Sequence, residues 1–228
     1  MSAGSAAPAR GGTVHAPTVE WAWGGGALIG SAVLPLVVWT AMPGEPLSVA
    51  ADWAGMAAFA AALLLFAWGW RGQGSAVARR VPGVVALTVL ALWRPVTRVV
   101  ISAWPASDEF TSFLFSFTYV DMVVWVGAGL AAVVAIGRAR VVPPPWCWAP
   151  LWALSVVVGV QALLLVVGVA VGARPGGVEL YTGLLSVAQL AATIAPVLLG
   201  ILAIVLGVGA ASRPPASRHP VQVYPPRS

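Results

Sequence analysis

Apolar residues fall along this chain in long stretches, and most charged residues lie in the short connectors between them or in the two ends. A helix that crosses the hydrocarbon core of a bilayer needs roughly 20 mainly apolar residues. Six stretches reach that length, at 21–41, 51–70, 81–104, 113–137, 148–172 and 180–209. None shows the in-out alternation of a membrane barrel strand. The pattern therefore predicts an all-α fold: a polytopic integral membrane protein with six transmembrane helices in one bundle. The third stretch departs most from the rule, because Arg94 and Arg98 interrupt it.

The flanks differ in character. Residues 1–20 are mostly small, polar and proline-bearing, and read as a disordered cytoplasmic N-terminus. The first apolar run is as long as a full span, whereas the core of a cleavable signal has roughly 7–15 apolar residues. It is expected to act as an uncleaved signal anchor. Residues 210–228 form a proline-rich polar tail, expected to be solvated on the cytoplasmic side.

Charge sets the direction of threading. Arg10 precedes the first run, Arg71, Arg79 and Arg80 follow the second, Arg138 and Arg140 follow the fourth, and Arg213, Arg218 and Arg227 follow the sixth. The alternate connectors hold Glu45, Asp52, Asp108, Glu109 and Glu179, with Arg174 as their sole arginine. Arginine is retained on the inner side of membranes, which places both termini in the cytoplasm of a cell-membrane protein. Tryptophans agree, since indole rings prefer the headgroup level. Trp21, Trp23, Trp68, Trp70, Trp146 and Trp148 mark the inner boundary, and Trp39, Trp53 and Trp104 the outer one. Trp93 and Trp125 fall well inside their spans.

Composition fits lipid as the solvent: the chain is 60% hydrophobic and only 8% charged. Its net charge of +5 does not indicate nucleic acid, because the arginines are scattered between apolar runs and form no single basic face. The lone Cys147 excludes an intrachain disulfide and a cysteine-based metal cluster. Gly26 with Gly30, and Gly168 with Gly172, make GxxxG pairs expected to serve packing within the chain. Pro95 and Pro196 are expected to kink their helices.

Ionisable groups inside a bilayer cost about 2.5–3.5 kcal/mol at the helix centre, so those present carry information. Arg94 and Arg98 share one face of the third helix, and Asp121 and Trp125 share one face of the fourth. At a rise of about 1.5 Å per residue, Arg94 and Trp125 lie at roughly 20 Å from the inner boundary, and Arg98 and Asp121 at roughly 26 Å. These heights predict an Arg98–Asp121 pair and an Arg94–Trp125 stack, forming a candidate intramembrane polar site of Arg94, Arg98, Asp121 and Trp125. Such a set can be a clamp between helices, a pair of arginines reaching outward to headgroups, or a site for an anionic substrate or lipid headgroup. Gln161, Gln189 and Thr193 are weaker candidates, each able to satisfy itself by interhelical or backbone bonding.

Missing chemistry narrows the function. His15 and His219 both lie in the polar ends, so no histidine is available at span depth for haem, zinc or proton transfer. HExxH and Walker A sequences are absent, and only one carboxylate, Asp121, lies deep within a span, Asp52 belonging to the outer rim. No catalytic residue, cofactor or metal site is expected, and a non-enzyme is favoured over an enzyme. The favoured function is a scaffold or regulatory membrane component embedded in the lipid bilayer. Two alternatives stay open: a permease subunit working with a membrane or ATPase partner and using the Arg94/Arg98/Asp121 site, and a lipid-headgroup-binding membrane enzyme.

The threading is checked by reporter fusions. A reporter placed at Pro143 is expected to register as cytoplasmic; extracellular activity there would reverse the topology.

Overall fold

The computed structural model describes residues 19–41, 44–69, 75–103, 108–142, 146–171 and 177–211. Within them the chain forms α1 (Val19–Ala41), α2 (Glu45–Trp68), α3 (Val81–Ala103), α4 (Asp108–Ala139), a 3-10 turn at Trp146–Trp148, α5 (Ala149–Val171) and α6 (Gly177–Ala211). No strand occurs among the described residues. All six long helices are apolar and long enough to cross a membrane, so this is an all-α, multi-pass integral membrane protein. The polar ends expected at 1–20 and 210–228 lie outside the described residues, apart from two residues at each inner edge. The same holds for Trp70, Arg71, Trp104, Gly172, Arg174 and the proline run at 143–145.

Helix α3 runs unbroken through both arginines and Pro95. Helices α4 and α6, with 32 and 35 residues, exceed their apolar runs. At about 1.5 Å per residue each is near 50 Å long, so both project beyond a hydrocarbon layer of about 30 Å.

Helices adjacent in sequence pack antiparallel, and α6 returns onto α1 to close the circuit. The α1–α6 seam is the most extensive contact and the α4–α5 seam the thinnest of the six. Glycine makes the closing seam: a Cβ on Gly25 would lie 2.4 Å from the Gly200 carbonyl oxygen, and one on Gly200 2.5 Å from the Gly25 carbonyl oxygen. Gly55 of α2 similarly receives Pro35 of α1, with room for nothing larger. The expected use of Gly26 and Gly30 is not found. Nothing lies within 4 Å of where either Cβ would be, so that pair faces away from the chain's own packing. The neighbouring Gly24 and Gly25 take the contact instead, against Phe66 and α6.

Burial is uneven along the bundle axis. One end carries the start of α1, the end of α6, and Arg79, Arg80, Arg138 and Arg140; it is called the basic end below. Here Ala67, Val77, Ala86, Leu87, Leu90, Ala132 and Ala135 form one core cluster, and Trp21, Ala76, Val142 and Ala203 a second. The connection before α3 belongs to this core: Val77 is the largest side chain with no exposure at all. Its backbone and side chains cap the end of α2. Ala76 N–H donates to Phe66 O at 2.9 Å, Ser75 Oγ to Ala67 O at 2.7 Å, and the Arg79 guanidinium to Trp68 O at 3.4 Å. Those carbonyls would otherwise be orphans of the last helical turn. Ala78 and Arg79 accept left-handed backbone, φ 49° and 53°, to make the tight entry into α3.

Trp21 corrects the expected tryptophan belt. It is 5% exposed and packs edge-on against Phe66, with centroids 5.8 Å apart, inside the basic-end core. Trp23, Trp39, Trp53, Trp68, Trp146 and Trp148 are exposed. At the other end of the bundle, the far half, side chains of α1, α3 and α6 are mainly exposed or half-buried.

Gly25→Val is expected to lower stability by at least about 1–3 kcal/mol through overpacking of the α1–α6 seam. Gly26→Val, one residue away, should stay within about 0.5 kcal/mol. Unfolding titrations in mixed micelles compare the two.

Candidate functional site

The polar residues of α3 and α4 meet in the far half of the bundle. Trp93 Nε1–H donates to Asp121 Oδ1 at 2.6 Å. The Trp93 ring stacks on Phe117 at 6.2 Å and 11°, and Phe117 on Phe113 at 5.6 Å. The seam between α3 and α4 at this level is thus aromatic, with a single carboxylate set among the rings. A buried indole N–H seeks an acceptor, and Asp121 is the charged acceptor that lies deepest in the spans.

One turn deeper, Arg94 lies over Trp125 with its Cζ 5.2 Å from the ring centroid. Trp125 in turn meets Phe59 of α2 at 6.0 Å and borders the basic-end core. Its Nε1–H is buried without a hydrogen-bond partner, as is Thr88 Oγ1 on α3. An unmade bond of this kind costs roughly 1–3 kcal/mol, so Trp125 is held by its contacts and not by its polar edge.

The structure therefore joins Arg94 with Trp125, as the heights predict, but does not join Arg98 with Asp121. No arginine lies within ion-pair distance of Asp121 among the described residues. Equal height is insufficient, because pairing also requires the right side of the helix. Trp93 and Arg98 are five positions apart, which separates them by about 140° around α3. The side that presents Trp93 to Asp121 turns Arg98 away, and both Arg94 and Arg98 are exposed. Trp93 is the partner that height matching overlooks; a tryptophan at span depth beside a lone acid was the available signal.

The weaker candidates lie apart from this cluster. Thr193 Oγ1 donates to Gln189 O, 2.9 Å away in the preceding turn of α6. Gln189 and, on α5, Gln161 are exposed. A shallow, open groove of about 450 Å³ lies between α4 and α5, lined by Tyr119, Leu165, Val166 and Ala170. Its walls are almost wholly apolar and it includes none of the arginines.

The Trp93–Asp121 bond is expected to behave as a local clamp. Trp93→Phe keeps the ring stack and removes the donor, and should cost about 1 kcal/mol, within the range for hydrogen bonds between membrane helices. Asp121→Asn keeps an oxygen acceptor and should cost less than half as much. A larger loss for Asp121→Asn, measured by unfolding in micelles, would mean that charge and not the hydrogen bond matters there.

No protein-family model, curated protein or solved structure matches this chain, so what it does is to be read from the arrangement of its own residues.

Proposed function

We propose that the chain is a non-catalytic scaffold or regulatory component of the cell membrane, with both termini in the cytoplasm and a second membrane protein as its partner. One observation carries this reading: the acid deepest in the spans, Asp121, is bound to a tryptophan, above a basic end packed around the fully buried Val77. A reaction needs a general acid or base free to reach a substrate. A transport route needs polar groups spaced across the membrane. Here the charged groups deep in the spans, Arg94, Arg98 and Asp121, cluster within about one turn in the far half, while the half below is packed with Ala, Val and Leu. The arginines at the basic end support the cytoplasmic placement of the termini by the positive-inside rule. The exposed far half supplies surface for a partner.

Cysteine accessibility tests this, on a background in which Cys147 is replaced by serine. With a membrane-impermeant maleimide added from either side, Thr97→Cys in the far half is expected to label. Ala91→Cys and Ala132→Cys, in and beside the basic-end core, are expected to stay unlabelled in the folded protein. Labelling of Ala91→Cys and Ala132→Cys from one side would show a solvated path and replace the scaffold reading with a permease that takes its energy from an ATPase partner.

A further inference from the structure

We infer that Arg94 and Arg98 together hold the phosphate group of an anionic ligand in the far half of the bundle. Each guanidinium is a permanent charge placed where hydrocarbon penalises it by about 2.5–3.5 kcal/mol at full depth. Charge of this kind is retained only when something answers it. Inside the chain the only answer is the Trp125 ring beneath Arg94: Asp121 is engaged by Trp93 Nε1 at 2.6 Å, and neither arginine forms an ion pair among the described residues. Thr97, between them on α3, turns its hydroxyl back to the Arg94 carbonyl oxygen at 3.0 Å.

What the structure does instead is aim the two groups outward. Trp125 seats Arg94 by contact with its ring, 5.2 Å from Cζ. A guanidinium held over a ring spends no hydrogen bond on it and keeps its N–H donors, which fork onto an oxyanion. Arg98 stands one helical turn away on the same exposed face. Five residues separate it from the end of α3, or about 7–8 Å, so its side chain reaches the level of the headgroups while Arg94 waits a turn deeper. Two forks stacked along one face fit a tetrahedral phosphate between them. A carboxylate ligand would fill only one fork. The phosphate can belong to a phospholipid of the adjoining leaflet or to a soluble anion entering from that end, and the chemistry of capture is the same.

The test uses the full chain purified in a phosphate-free detergent and compared with R94Q/R98Q. Native mass spectrometry after delipidation is expected to find one phospholipid retained on the parent chain, reduced at least tenfold in the variant. If no lipid is retained but inorganic phosphate raises the unfolding temperature of the parent and not of the variant, the source is soluble and the site stands. Equal lipid retention, with equal response to phosphate, in both proteins overturns it. So does an equal loss of lipid in R138Q/R140Q, which removes the same charge at the basic end. If R94Q/R98Q fails to fold, R94K/R98K keeps charge without the fork and is expected to bind at least tenfold more weakly; undiminished binding there also overturns the site. D121N should leave retention within twofold, since the acid takes no part.

Discussion

An N–H or C=O group in hydrocarbon has no water to turn to, and the layout of this protein follows from that single restriction. It makes every span a helix, in which the backbone bonds close on themselves. It also governs the places where helices stop. At the end of α2 the carbonyls of Phe66, Ala67 and Trp68 are taken up by the connection that follows, so the helix terminus is capped by protein. Trp125 Nε1 and Thr88 Oγ1 excepted, side chains follow the same rule: Thr193 bonds to its own helix, Ser31 Oγ donates to Leu28 O at 2.7 Å, and Asp121 finds an indole.

Because lipid tails are as apolar as leucine, association of the helices relies on close fit and not on expulsion of water. The fit is concentrated at the basic end and along the glycine seam of α1 and α6. Those contacts fix the lower half of the bundle and leave the far half to be organised by fewer, more specific interactions. The Trp93–Asp121 bond and the aromatic stack behind it are the clearest of these. They join α3 to α4 at a level where the buried core has ended. The arginines, by contrast, take no share in holding the helices beyond the ring contact of Arg94.

The six spans, their approximate limits and the pairing of Arg94 with Trp125 were legible in the sequence, since each depends on run length and height, quantities that accumulate regularly along a helix. What failed depended on rotation about the helix axis. Arg98 was matched to Asp121 by height alone, and the Gly26–Gly30 pair was assigned to internal packing by spacing alone. Both predictions lacked the azimuth that tertiary contact sets. Trp21 was misplaced for a related reason, because a tryptophan at a span boundary can face headgroups or the core, and only the position of Phe66 decides between them. The role of Val77 was out of reach, since nothing in the local pattern marks a connector as interior.

That interior connector has a consequence for how the chain can change. Surface loops ordinarily absorb added or lost residues with little harm. Residues 75–80 cannot, because Ala76 and Val77 are core side chains and the backbone around them terminates α2. A single inserted residue there would move Val77 out of register with α4 and uncover three carbonyls at once. The spacing between the second and third helices is therefore as much a part of the fold's specification as the helices themselves.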